Sequence, residues 1–477
     1  MDAIVKINRR DFVKIAAVAG LSVAVPSSLV SCSSDGGAEA QGKEANFIVV
    51  GGGAGGVGAA LRAADQGKTV ILLEKMPMLG GDSALSAGTI HAPGTALQQE
   101  QGYGGDTTKE YIEYMKNPES QYLTNEQPLC TALYDGAREM VDDLSNKGLG
   151  FLPIPDYDIR AHNVDGGGGA LMMFLEDMLD QTNVEVLTGT PAQSLILEDG
   201  KVVGVIDEEG IEYRGVVILA TGGFTHSAEL VNEYTPEFND IKVLCSEGSE
   251  GDGLAMAEEA NAAEWNLDEG MHTYFISTEN AADMSVPPSS APGIIVNING
   301  DRFHNEDAHY DVAGKAGIEQ PEHRAYYIFD ETIRRDYDIF EDYFDSGIVI
   351  EGDSLQELAK TINTPNLVTT VEHYNQMMER GVDEDFGRQS LLAPIPGPTY
   401  YAMSIEPCIY YSYGGLEIDD GSHVLDGNGA PISGLYACGE LCASSELKEG
   451  LQYTSGISQG YVFGRRAVDS AIKEGLV

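Results

Sequence analysis

The sequence predicts an α/β fold organised on a Rossmann-like parallel sheet. Three observations carry this reading. The chain has 477 residues, 42% of them hydrophobic, enough to fill the cores of two to three domains. An apolar run at Asn46–Val50 leads directly into glycines at 51, 53 and 56. A second apolar run, Thr69–Leu73, follows one helix length later and ends in an acid, Glu74.

The first run, Asn46-Phe47-Ile48-Val49-Val50, shows no polar alternation, as expected of a strand covered on both faces. Gly51 permits the tight turn that follows. Gly53 lets the backbone approach a pyrophosphate, and Gly56 lets the next helix pack on the strand. That helix, from about Gly55 to Gln66, directs its N-terminal amides and dipole at the phosphates. A carboxylate at Glu74 can accept hydrogen bonds from both ribose hydroxyls of an adenosine, which favours FAD or NAD over NADP.

The charge is extreme: 76 acidic against 28 basic side chains, a net −48. Repulsion on this scale excludes DNA, RNA and anionic membrane surfaces as partners. It also repels anionic small molecules unless local arginines or histidines offset the field, and it keeps an exported protein soluble. The 6 cysteines imply no disulfide framework. Cys438 and Cys442 have a CxxxC spacing that matches no common metal site, so no metal is expected. Cys130, Cys245 and Cys408 read as core thiols.

Residues 1–32 form a signal. Asn8-Arg9-Arg10-Asp11-Phe12 precedes a small, apolar run from Ile15 to Val25, too short to span a membrane. The paired arginines resemble the twin-arginine export signal. Leu29-Val30-Ser31-Cys32 resembles a lipobox, in which Cys32 is lipidated. The expected location is therefore the extracytoplasmic cell envelope, with membrane association by the lipid anchor only. Residues 33–45 read as a flexible tether.

Further segments resemble the flavoprotein family of soluble fumarate reductases, urocanate reductases and 3-ketosteroid dehydrogenases. Gly80–Gly88, with Gly81, Ser83 and Gly88, looks like the loop that lies along the flavin. Val217–Phe224 looks like a second cofactor strand and turn, with Ala220, Thr221 and Gly222. Gly251-Asp252-Gly253 looks like a family helix start. Gly434–Glu440 looks like the C-terminal FAD motif, with Gly439 and Glu440. Ile457 and Ser458 fall where the family sets backbone against the flavin pyrimidine edge. Lys75 and Ala192 complete the expected FAD contacts. The resemblance implies FAD as cofactor. It also implies a discontinuous FAD-binding domain at 46–266 and 411–477, and an α+β capping domain at 267–410. Within the cap, residues 353–380 read as helical. No haem or FMN attachment motif is visible, so electrons are expected from a separate donor protein or membrane carrier.

Gly300-Asp301-Arg302-Phe303-His304-Asn305-Glu306 resembles the family's G-x-R-F-x-N-E signature. Where fumarate reductases then carry an arginine proton donor, this chain has Tyr310. Where the family binds a carboxylate with histidines, it has Tyr410, Tyr411 and Tyr413. Tyr453 lies in a segment from which the clamping arginine is missing, and His272 matches one family histidine. A dicarboxylate calls for fixed positive charge. Tyrosine hydroxyls suit a neutral α,β-unsaturated carbonyl compound. The expectation is an ene-reductase with Tyr310, Tyr410, Tyr411 and His272 in catalysis and Tyr413 and Tyr453 at the substrate. For Tyr411 and Tyr413, strand alternation fits core packing equally well. Three alternatives stay open: a ketosteroid-type dehydrogenase running in reverse, a carboxylate reductase with a rearranged site, and an anchored electron carrier.

Overall fold

The computed structural model describes residues 42–477 apart from 119, 156, 157, 283, 285–287 and 289. The expected signal, Cys32 and most of the expected tether lie outside the described residues. The tether prediction needs one correction: residues 43–45 begin the first strand, Lys43–Val50, whose Lys43 and Glu44 pair with Tyr213 and Arg214. Among the described residues, no helix is long and apolar enough to cross a membrane.

The chain divides into two compact units. The first holds residues up to Phe224, Ser246–Asn266 and Gly414–Val477. The second holds Thr225–Cys245 and Leu267–Tyr413. Residues 225–245 and 411–413, which the sequence assigns to the FAD domain, thus group with the second unit. The physical reason is strand pairing: Lys242 and Val243 pair in parallel with Cys408 and Ile409 of the long strand Tyr400–Ser412.

The first unit is built on an 8-stranded sheet. Its parallel centre runs Pro431–Ala437, Glu212–Leu219, Lys43–Val50, Val70–Glu74, Glu185–Thr188. Phe47, Ile48, Val49 and Val50 register with Val70, Ile71, Leu72 and Leu73, all of them buried. This is the both-faces-covered pattern of a parallel sheet.

Two helices cross tightly beside this sheet. Ala54–Asp65 starts one residue earlier than the sequence suggests, with Gly53 as N-cap. Gly456–Lys473 lies against it, buried along most of its first half. The crossing is set by absent side chains. A Cβ on Gly464 would sit 2.3 Å from the Gly55 carbonyl oxygen. One on Gly55 would sit 3.2 Å from the Gly460 backbone. Small residues therefore let the backbones touch, and dispersion accumulates over the contact.

The second unit is an α+β body around a 6-stranded sheet whose core path is Met271–Ser277, Tyr400–Ser412, Ala325–Asp330, Ile294–Asn297. Its core gathers Ile294, Ile328, Phe329, Phe340, Leu358, Val371, Tyr374 and Met403. The expected helical stretch is two helices, Leu355–Thr361 and Leu367–Arg380.

Gly464→Ala is expected to lower stability by about 1–3 kcal/mol through overpacking. Gly104→Ala, where a Cβ meets nothing within 4 Å, should stay within about 0.5 kcal/mol. Thermal melts of the two variants beside the parent check this.

Candidate active site

The loops at the carboxyl ends of the parallel strands converge, as ligand sites in open α/β sheets do. Gly51 follows the first strand with φ +110°, and its Cβ would lie 2.1 Å from the Ala220 oxygen, so only glycine fits. At Gly53 a Cβ would meet no protein atom closer than the Ser83 hydroxyl at 3.6 Å, so this face of the loop is left open to a bound group. Ser83 Oγ accepts from the Ala54 amide at 3.1 Å and ties the 80–88 loop to the helix start. Gly81 and Gly88 in that loop take positive φ. Gly88 is irreplaceable on packing grounds, because its Cβ would lie 2.5 Å from the Gly167 backbone.

Glu74 ends its strand and is buried. Its carboxylate accepts from the Gly52 amide at 2.6 Å and the Met76 amide at 2.7 Å. Burial raises its pKa, with those amides opposing the rise. Lys75 and Asp252, both expected at the cofactor, bond to each other at 2.6 Å, and Glu250 joins them at 2.8 Å. Ala192 opens the strand Ala192–Glu198 opposite Asp207. Ala220 donates its amide to Val50 at 2.7 Å, and Gly222 takes φ +77°. Gly439 and the buried Glu440 form a 3-10 turn directly after the strand Pro431–Ala437.

Two buried hydroxyls here, Thr221 Oγ1 and Ser458 Oγ, have no hydrogen-bond partner in the protein. Buried polar atoms are ordinarily paired. Ser458 sits in the first turn of Gly456–Lys473, beside Ile457. An open glycine face, two helix N-termini and two orphan hydroxyls fit a pyrophosphate-bearing dinucleotide.

Tyr453 also belongs to this unit and is buried. Sequence reasoning missed what fixes its segment. Glu446, wholly buried, accepts from Tyr134 OH at 2.6 Å, Thr454 N at 2.8 Å, Thr454 Oγ1 at 2.8 Å and Ser455 Oγ at 2.9 Å. His91 reaches the Thr454 carbonyl at 3.1 Å and Asp158 at 3.2 Å. In the sequence, Glu446 stands among Ser, Lys and Glu and carries no signal of burial.

The other predicted residues gather within the second unit. Arg302 is clamped by Glu306 at 2.6 Å and Asp383 at 2.8 Å, and lies 5.0 Å from the Tyr374 and Phe386 ring centres. This knot fixes the 300–306 loop ahead of the helix Tyr310–Ile318. His272 lies on the strand Met271–Ser277, opposite Tyr411, with a bulge before Thr273. Bulges re-aim side chains, and this one lies at the site. The His272 ring is fully buried and edge-on to Tyr310 at 5.0 Å, Tyr410 at 4.6 Å and Tyr413 at 5.7 Å. Its Nδ1 hydrogen-bonds the Tyr413 hydroxyl. Tyr411 packs its ring 6.2 Å from that of Tyr413.

Burial drives the His272 pKa down to about 3, more than the nearby Asp311 charge offsets, so the imidazole is neutral. Burial, then the Asp311 charge, pushes the Tyr413 phenol well up. Asp311 Oδ1 accepts from the Thr273 amide at 2.9 Å. Lys315, which the sequence reading overlooked, pairs with Asp311 Oδ2 at 3.2 Å and lies 5.6 Å from the Tyr413 ring centre. Its position one helical turn beyond Asp311 was the available signal. The cluster thus holds phenols, a neutral imidazole and one compensated ion pair.

The FAD binding domain family matches residues 46–447. The chain belongs to that family. FAD is accordingly its cofactor, and the first unit supplies a site that fits it. Among relatives, a urocanate reductase of Eggerthella lenta is 30% identical over 465 residues, covering 89% of this chain and 74% of that protein. An NADH:fumarate oxidoreductase of Klebsiella pneumoniae is 29% identical over 430 residues. That match covers 87% of this chain but only 46% of the relative. The open conformation of a flavocytochrome c3 fumarate reductase superimposes with a TM-score of 0.77 at 25% identity, over 100% of this chain and 83% of that one.

Glu74→Gln is expected to weaken FAD retention. Losing a charge-assisted bond of about 1.5 kcal/mol or more is roughly tenfold in Kd. Flavin absorbance after gel filtration reads the loss, and undiminished flavin would assign Glu74 to loop geometry alone.

Proposed function

We propose that this protein is an exported, lipid-anchored, FAD-dependent ene-reductase acting on a neutral or weakly charged α,β-unsaturated carbonyl compound. The single observation that carries the proposal is the neutral tyrosine–histidine cluster around His272. A dicarboxylate requires cations that are not already neutralised. Lys315, which lies against the Tyr413 ring, is paired with Asp311. Phenols instead offer hydrogen bonds to a ketone oxygen and a proton to carbon.

When bound and reduced, FAD supplies hydride to the β-carbon of the alkene. Tyr410 donates a hydrogen bond to the carbonyl oxygen, where negative charge develops. Tyr310 gives its phenolic proton to the α-carbon: the O–H bond breaks as the C–H bond forms. Tyr310 and Tyr410 are only partly buried, which suits direct contact with substrate, whereas Tyr413 and Tyr411 are buried and support them. The electron donor is a separate protein or membrane carrier. The twin-arginine signal fits this reading, since that route carries folded, cofactor-loaded cargo. Cys32 would then hold the enzyme at the membrane.

The test is anaerobic. The purified holoenzyme is reduced, then mixed with enones, enoates, urocanate and fumarate while flavin reoxidation is followed. Enones are expected to reoxidise it and fumarate is not; the opposite preference would overturn the proposal. Tyr310→Phe should abolish turnover with FAD still bound, and retained activity would remove Tyr310 from the donor role. Cys32→Ala should shift the protein from the membrane fraction to the soluble one on fractionation.

A further inference from the structure

We infer that His309 is a positioning residue for Tyr310, and that protonating His309 moves the proton donor out of place. The inference rests on the ene-reductase reading above and deepens it.

His309 immediately precedes the helix Tyr310–Ile318 and caps it: its Nδ1 accepts from the Asp311 amide at 3.4 Å. Its ring also lies against the Tyr310 phenol, with ring centres 3.9 Å apart and planes tilted by 35°. A second imidazole, His272, meets the same phenol edge-on at 5.0 Å. Two imidazoles from two elements thus hold one phenol. His272 is fully buried and bonded to the Tyr413 hydroxyl. His309 keeps an exposed edge and is held by the cap and the stack, so it is the partner that solvent can reach.

A backbone amide only donates. Nδ1 of His309 therefore carries a lone pair, and the ring proton sits on Nε2. A doubly protonated ring has no lone pair, so the cap bond, and the ring orientation it sets, belong to the neutral form alone. Although the edge is exposed, loss of solvation among its neighbours holds the His309 pKa below the ordinary histidine value. The Asp311 charge opposes that shift and the Lys315 charge adds to it. The tie is accordingly complete at neutral pH and is lost as the pH falls through the depressed value. The titratable groups around His309 are Tyr310, Asp311 and Lys315 on its own helix and His272 on the strand Met271–Ser277, with Tyr410 and Tyr413 beyond His272. The neighbouring rings give no such response: a phenol stays protonated throughout the acid range, and burial keeps His272 neutral down to about pH 3.

Proton transfer to carbon depends on where the phenol hydroxyl points, and a misplacement of about 1 Å can cost about 100-fold in rate. Two substitutions separate the contacts. His309→Asn keeps a capping oxygen and removes the ring. His309→Phe keeps a ring to stack and removes the titrating nitrogens. FAD-loaded full-length protein is assayed with 2-cyclohexen-1-one as probe from about pH 5 to 8, the range in which histidine titrates, with thermal melts alongside. The kcat of the parent is expected to fall at the acid end. His309→Asn should lower kcat about tenfold or more at neutral pH, keep KM within about twofold and melt near the parent. His309→Phe should keep kcat within about threefold at neutral pH and lose the acid fall. An Asn variant as fast as the parent, a parent with no acid fall, or a Phe variant that retains it overturns the positioning role alone. A parent inert to the enone at every pH overturns the ene-reductase reading and this inference with it.

Discussion

The close crossing of the helices Ala54–Asp65 and Gly456–Lys473 is the constraint on which the first unit depends. Gly55, Gly460 and Gly464 remove the side chains that would hold the two backbones apart. As a result two helix N-termini, each a positive dipole end, open on the same group of loops. The glycine loop at 51–56, the turn at 220–223 and the turn at 439–441 are then presented by parallel strands that end together. A dinucleotide site follows from that geometry, and the orphan hydroxyls of Thr221 and Ser458 mark where it is polar but unfilled by protein.

Within a chain of net charge −48, carboxylates also do structural work. Glu446 gathers Tyr134, Thr454 and Ser455, and Glu449 accepts from the amides of Leu129 and Cys130 at 2.9 Å each, at the start of a helix. Glu306 and Asp383 neutralise Arg302. These acids are buried and bonded, so they shape loops without adding to the exposed charge. The same economy rules the tyrosine cluster. His272 is neutral through burial, and Asp311 and Lys315 cancel.

The FAD half was legible because its chemistry is local. Gly51, Gly53, Gly56 and Glu74 occupy one continuous strand–turn–helix–strand segment, and short-range sterics dictate each of them. The tyrosines were legible as substitutions in recognisable motifs, but their partners were not. Lys315 reads as an ordinary surface lysine until the helix Tyr310–Ile318 sets it beside Tyr413. Glu446 reads as solvated until the helix carrying Tyr134 and the Thr454–Ser455 segment close around it. The grouping of residues 225–245 with the second unit depends on pairing with Tyr400–Ser412, more than 150 residues away, as Lys242 and Cys408 show.

The sequence by itself determined the parallel α/β sheet and the cofactor, because each is written in adjacent residues or in a fixed spacing. Only the tertiary structure decided which phenol bonds His272, which carboxylate answers Lys315, and which hydroxyls are left for the cofactor. Those outcomes rest on distances between residues remote in the chain, and on burial, which sets whether a histidine is charged and which no local pattern encodes.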